Sequence, residues 1–258
     1  MDWFSMILLA VASLTAGAIN AAVGSGSLLT LPVLMALGLP PGTAVRTNTV
    51  GMVFSTIGAV TGFRREISAE RRDLGPVSVA ALVGAIGGSL LLLRSSPDAL
   101  DIVVPILIAV ALVMVITQPR VTARIRARGQ DAHGSYRKPG VVFPILGASV
   151  YGGFFTAAQG VLYVALLALG TGRTIKDVNP VKNWLSLLVN VAAAGVYLIA
   201  HVVTGAEIHW IGALVVGIGS LIGGYFGAHI AKRLPDRVLR GVIVVVAVVA
   251  LIRQFVGG

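Results

Sequence analysis

The chain has 258 residues, of which 56% are hydrophobic and 12% are charged, with a formal net charge of +10 and no cysteine. A mean hydropathy of +0.92 excludes a soluble globular domain, and the lack of cysteine excludes disulfides, thiolate metal sites and a catalytic thiol. The basic residues occupy separate loops without interleaved aromatic residues, so they do not indicate nucleic-acid binding. The composition predicts an all-α, polytopic membrane protein in contact with the lipid bilayer.

The first predicted element, residues 5–37, is an almost unbroken run of apolar and small residues. About twenty apolar residues span a bilayer, so this run is too long for one helix. Glycine and polar side chains interrupt it between Asn20 and Ser27. We expect a retained N-terminal helix that breaks here and returns as a hairpin, because irregular backbone within a membrane must face protein or a wet cavity.

Three single spans are predicted next, over residues 43–63, 74–93 and 102–118. Pro40 and Pro41, with Thr43 as the expected N-cap, start the first span and place Arg46 in its first turn. The free N–H groups of a helix N-terminus, together with a cation, favour an anion. The alternative is that Arg46 extends to the membrane interface and has no ligand.

The second half repeats this order. Residues 140–170 form another long apolar run, interrupted between Thr156 and Gly160, and spans over residues 178–200 and 209–230 follow. Asn179 as the N-cap and Pro180 as a first-turn proline place Lys182 in the first turn of its span. Lys182 is thus the expected counterpart of Arg46, with the same interfacial alternative.

The basic loops predict the topology. Lys and Arg are concentrated near residues 64–72, 120–138 and 232–240, which places these loops in the cytoplasm and the loops around residues 98 and 201–209 on the other side. The number of crossings then requires the first hairpin to enter from outside and the second from inside. We therefore predict two inverted repeats, each a broken-helix hairpin followed by three transmembrane helices.

The domain organisation follows from this topology. The chain is one membrane domain over residues 1–258, with repeat one at 1–118, a cytoplasmic linker at 119–138 and repeat two at 139–258. Faint internal matches support the duplication, including Gly87-Gly88 with Gly223-Gly224. Glycines spaced by four in these segments predict close helix packing and leave a homodimer open.

The candidate substrate site combines the two cations with polar and glycine residues near the breaks. Amide and hydroxyl groups can donate hydrogen bonds to a tetrahedral oxyanion, and glycine permits close approach of the backbone. The alternative is that these groups only cap broken helix ends. The expected substrate-binding residues are Arg46, Lys182, Asn20, Gly24, Ser25, Gly26, Ser27, Asn48, Gln159 and Asn183.

The polar residues also limit the chemistry. All ten carboxylates lie in predicted loops or at span ends, which disfavours a proton relay through buried acids. We expect no metal site, no cofactor and no catalytic residues, because neither metal-ligand spacing nor a nucleophile with a base is present. The sequence therefore favours transport over catalysis.

The run AGAINAAVGSGSLLTLP at residues 16–32, followed by LMALGLPPGTAVRTNTV, resembles the first-repeat signature of the TauE/SafE sulfite exporter family. The resemblance covers essentially the whole chain, although Gln159-Gly160 matches the second repeat only loosely. It implies a bacterial inner-membrane protein that transports small sulfur-containing anions such as sulfite, sulfonates or sulfoacetate. We expect alternating access at a midplane site, with an anion channel or a non-transporting membrane scaffold as the alternatives.

Overall fold

A computed structural model describes residues 3–127 and 134–230. Within these ranges the chain forms ten helices and no strand. The helices are α1 (Trp3–Ala22), α2 (Ser27–Ala36), α3 (Pro41–Gly62), α4 (Arg64–Glu70), α5 (Gly75–Arg94), α6 (Pro97–Ala127), α7 (Pro139–Phe155), α8 (Gln159–Thr171), α9 (Ile175–Thr204) and α10 (Trp210–Ile230). The predicted basic loop at 232–240 and the last span lie outside the described residues.

Three of the described helices, α5, α6 and α9, are long and apolar enough to cross a membrane. Large apolar side chains such as Val79, Ile102 and Val202 are exposed on their surfaces, as expected for contact with lipid. Helix α3 is more polar and packs against α9 and α10. The predicted all-α, polytopic membrane fold is confirmed.

Both long apolar segments are broken where the sequence predicted. Helix α1 ends at Ala22 and α2 begins at Ser27, with Gly24 between them at a φ of 85°. Helix α7 ends at Phe155 and α8 begins at Gln159. In the second break Thr156 and Ala158 have φ values of 67° and 58°, a conformation that costs a non-glycine residue on the order of 1 kcal/mol or more.

The second segment turns back on itself. The hydroxyl groups of Ser149 on α7 and Tyr163 on α8 are 2.8 Å apart, and the Tyr151 hydroxyl donates to the carbonyl of Ala157 at 2.8 Å. One straight helix would separate residues 149 and 163 by about 20 Å. Residues 140–170 therefore form the expected hairpin rather than a continuous rod.

Glycines allow the closest helix contacts. A Cβ on Gly223 of α10 would collide with the backbone of Leu14 on α1, and one on Gly88 of α5 would collide with the backbone of Val150 on α7. The packing role predicted for glycines spaced by four is confirmed at these two crossings. In this arrangement α10 packs against α1 and α5 packs against α7, the first helix of each hairpin.

The predicted helix starts were wrong in both halves. Helix α3 begins at Pro41 after Pro40, and Thr43 lies inside its first turn without capping it. Helix α9 begins at Ile175, because Thr174 and Asp177 form a reciprocal capping box upstream of Asn179 and Pro180.

The corrected starts move both cations further into their helices. Arg46 lies in the second turn of α3 and Lys182 in the third turn of α9. Lys182 therefore lies outside the first turn of α9, where the free N–H groups of the helix N-terminus are found. Helix α6 also continues through the expected start of the linker at residue 119 and ends at Ala127, so Arg124 lies on this helix.

Candidate functional site

The two helix breaks touch each other. The backbone amide of Gly160 donates a hydrogen bond to the carbonyl of Gly24 at 3.2 Å. A Cβ on Gly24 would lie only 2.6 Å from Gly160 Cα, so neither position has room for a side chain. We call this contact, formed by residues 20–27 and 156–160, the bend crossing.

Lys182 lies alongside the bend crossing. Its side chain is fully buried, at 0% exposure. A Cβ on Gly24 or Gly160 would lie 3.2 Å or 3.0 Å from Lys182 Cδ. The ammonium donates to the backbone carbonyls of Asn20 at 3.1 Å and Ala21 at 3.4 Å. These carbonyls lie in the last turn of α1 and carry the partial negative charge of a helix C-terminus.

Lys182 has no acidic partner among residues 3–127 and 134–230. The ion pair described there joins Arg173 to Glu70, and the contacts of Lys182 Nζ are to carbonyl groups. A charge removed from water without a counter-charge is strongly destabilising unless dipoles or a ligand compensate it. The site is therefore electrostatically suited to an anion.

Unpaired polar atoms are concentrated on the predicted site residues. Six buried side-chain nitrogen or oxygen atoms lack a hydrogen-bond partner in the described part of the chain, and four of them belong to residues selected from the sequence. These four are Ser25 Oγ, Asn48 Nδ2, Gln159 Oε1 and Asn183 Nδ2. Since buried polar groups are normally paired, these atoms are candidates for ligand contacts.

Neighbouring residues orient two of these side chains. Thr30 Oγ1 donates to Asn48 Oδ1 at 2.5 Å, and the Asn48 amide nitrogen has no partner in the part of the chain that the structure describes. Gln159 Nε2 donates to Asn190 Oδ1 at 3.3 Å. Asn190 on α9 thus holds the Gln159 side chain of α8 through a hydrogen bond between helices.

Helix α3 supports both breaks through residues that the sequence analysis missed. The hydroxyl groups of Thr49 and Thr156 are 2.8 Å apart, and Asn20 Nδ2 donates to Ser55 Oγ at 3.2 Å. The available signal was the seven-residue spacing of Asn48 and Ser55, which places both on one helix face. Thr49 and Ser55 therefore position the bend crossing.

The glycines at the two breaks contact neighbouring backbone closely. The amide of Gly24 donates to Ile19 O, and that of Gly160 donates to Gly24 O, so both amides are engaged within the protein. Gly26 precedes α2 and packs against the backbone of Ala16, and Ser27 is the buried first residue of α2. The described contacts of these glycines thus serve close packing.

Arg46 occupies a separate position near one end of the bundle. Its Nε donates to the Glu207 carbonyl at 2.8 Å and its Nη2 to Thr43 Oγ1 at 3.1 Å. The side chain lines a cavity of about 360 Å³ that also contacts Ser95 and Asp101. Arg46 and Lys182 share none of these hydrogen-bond partners, so the structure assigns the two cations different surroundings.

A cluster of charged and polar side chains connects the end of α4 to the loops before α7 and after α8. Arg173 Nη1 and Glu70 Oε1 are 2.6 Å apart, and the guanidinium lies 4.6 Å from the centre of the Tyr136 ring. Asp73 accepts hydrogen bonds from Ser135 Oγ at 2.6 Å and from the Tyr136 amide at 2.7 Å. We call this group the Arg173 cluster. It ties the loop after α4 to both ends of the second hairpin.

The chain is similar to several curated proteins along most of its length. It is 26% identical to the probable membrane transporter protein YfcA of Escherichia coli K12 over 240 residues, which cover 92% of this chain and 84% of that protein. It is 24% identical to the probable membrane transporter protein ORF9 of Sinorhizobium sp. over 254 residues, covering 96% and 91%. No solved structure gives a significant match.

The family comparison covers nearly the whole chain. The family described as sulfite exporter TauE/SafE matches residues 9–253. This range contains both helix breaks, Lys182 and Arg46. Together with the membrane-spanning helices, the match identifies the chain as a member of the sulfite exporter TauE/SafE family of membrane transporters.

Proposed function

We propose that this protein is a bacterial inner-membrane transporter of a small sulfur-containing oxyanion, sulfite or a sulfonate. The observation that carries the proposal is the buried ammonium of Lys182, which lies at the bend crossing and has no acidic partner among the described residues. Membership of the TauE/SafE family supports transport of this substrate class. The anion supplies the missing counter-charge.

The free polar atoms complete the proposed coordination. The amide nitrogens of Asn48 and Asn183 and the hydroxyl of Ser25 donate to the oxyanion. Asn20, Gln159 and Ser27 border the same crossing, where the amides of Asn20 and Gln159 are held by Ser55 and Asn190, while Gly24, Gly26 and Gly160 allow the chain segments to approach. Arg46 attracts the anion into the end cavity before it reaches the crossing.

Alternating access is the proposed mechanism. Arg46 contacts the loop before α10, whereas the Arg173 cluster ties together loops that the charge pattern assigns to the cytoplasm. The matching helix pairs, α1 with α10 and α7 with α5, are consistent with inverted repeats. One repeat rocks against the other and exposes the bend crossing to each side in turn.

Flux measurements test this function. Purified protein in liposomes is loaded with unlabelled sulfite, and uptake of radiolabelled sulfite is followed over a range of concentrations. A carrier saturates and shows counterflow, a channel shows neither, and a scaffold shows no flux. In sodium-free choline buffer we expect saturable counterflow that Lys182→Ala lowers by at least about ten-fold, equivalent to roughly 1.4 kcal/mol, and that Arg124→Ala leaves unchanged. Absence of counterflow would contradict the proposal.

A further inference from the structure

We infer a second role for Lys182, which rests on the proposed function. Its ammonium is a cation attached to the protein that takes the place of a soluble coupling ion. Lys182 Nζ contacts the Asn20 carbonyl at 3.1 Å and the Ala21 carbonyl at 3.4 Å. Both oxygens belong to the last turn of α1, immediately before the break.

Such carbonyls form cation sites in other transporters with broken helices. The unwound backbone and the C-terminal ends of half-helices coordinate Na⁺ there, because their oxygens carry partial negative charge. Here the same kind of oxygen pair is occupied by a side chain of α9. A fully buried ammonium on these oxygens excludes a free cation from them.

The path of the Lys182 side chain determines the cavity that its removal would leave. The stem passes Gly24 and Gly160, which have no side chains and whose backbones already touch. These two backbones cannot move together to fill the space of a deleted lysine side chain. Lys182→Ala therefore leaves a cavity that ends at the Asn20 and Ala21 carbonyls and has room for a small cation.

Anion transport by the wild type and by the Lys182 variants should depend differently on the cation in the buffer. The wild-type protein carries its anion equally well in Na⁺, Li⁺ or choline buffers, because the cation is covalently attached. Lys182→Ala loses transport and regains it with ethylammonium or Na⁺, which occupy the vacated carbonyl site. Lys182→Met fills the space of the stem without the charge, and neither cation restores its transport.

The test combines flux with thermal unfolding of the three proteins at constant ionic strength. We expect ethylammonium to raise the unfolding midpoint of Lys182→Ala but not that of Lys182→Met, and to restore sulfite flux by about ten-fold, equivalent to roughly 1.4 kcal/mol. A wild-type requirement for Na⁺, or an equal response of the two variants, would overturn the inference. Loss of anion flux in every protein, with the midpoint shift intact, would instead refute the proposed function alone.

Discussion

Gly160 donates its backbone amide to the carbonyl of Gly24 at 3.2 Å, which joins the two helix breaks directly. The contact connects the first hairpin to the second at the level of the Lys182 side chain. A change in the relative position of the hairpins must therefore alter the surroundings of this ammonium. The contact thus relates the movement of the two halves to the proposed anion site.

A side chain at the bend crossing is expected to disrupt it. The Cβ of Gly160→Ala would lie 2.5 Å from Gly24 Cα, and such overpacking costs about 1–3 kcal/mol. We expect a lower unfolding midpoint and loss of sulfite flux. Gly147→Ala is the matched control, because no atom of the described residues lies within 4 Å of its added methyl group. Equal behaviour of the two variants would show that the breaks do not touch in the membrane.

Arg46 is expected to act on substrate capture. Its guanidinium lines the end cavity and bonds to the Glu207 carbonyl, so Arg46→Ala should lower uptake at limiting sulfite by about ten-fold through lost electrostatic steering. Uptake at saturating sulfite should change little. At about 1 M salt, where the Debye length is about 3 Å, the difference should nearly vanish. A salt-independent defect would contradict the capture role.

The Arg173 cluster is expected to hold closed the end of the helix bundle at which the loops after α4 and α8 meet. Glu70→Gln removes the ion pair with Arg173, whose side chain is only 11% exposed. Loss of the ion pair should destabilise the closed arrangement by about 1 kcal/mol. The rate of maleimide labelling of Val178→Cys should then rise by about five-fold. Since the chain has no native cysteine, this reporter is the single reactive thiol.

The control for this experiment is Glu66→Gln, because Glu66 is an exposed glutamate on the same short helix α4. It should leave the labelling rate unchanged. If both glutamate variants accelerate labelling equally, general loosening of the loop explains the effect, and the Arg173 cluster is not an entrance lock.

Tyr136 predicts a pH dependence at the same end. Burial raises the pKa of this tyrosine from 10.0 to about 12, so the folded state holds its proton more tightly than the unfolded state. Its contribution to stability is fully present below pH 10 and is lost as the pH rises towards 12.

The measurement is the unfolding midpoint of the wild type and of Tyr136→Phe between pH 8 and about pH 12. The variant keeps the ring beneath Arg173 and removes the buried hydroxyl that titrates, so its stability should not depend on this proton. Above pH 10 the midpoint of the wild type should fall relative to that of the variant. Parallel curves would exclude titration of Tyr136.

The broken hairpins were predictable because length and local composition suffice to find them. An apolar run too long for one helix, with glycine and polar residues in its middle, leaves few other arrangements. The contact between Gly24 and Gly160 was not predictable, since it depends on how distant segments pack. The same holds for the hydrogen bonds of Thr49 and Ser55 to the two breaks.

The helix starts were mispredicted for a local reason. Asn179-Pro180 is a strong start signal, but Thr174 and Asp177 provide a reciprocal cap earlier in the chain, and the helix tolerates Pro180 near its N-terminus. Matching Arg46 to Lys182 by their order in each repeat therefore did not match their surroundings. Asn48 on α3 and Asn183 on α9 are more alike, because each has a buried amide nitrogen without a hydrogen-bond partner among the described residues.

The most direct test of the account is sulfite binding to purified wild type and Lys182→Met by isothermal titration calorimetry. Methionine keeps most of the buried stem and removes the ammonium. We predict saturable binding to the wild type and an affinity at least about ten-fold lower for the variant, equivalent to roughly 1.4 kcal/mol. Equal affinity in two folded proteins would contradict an anion site built on Lys182.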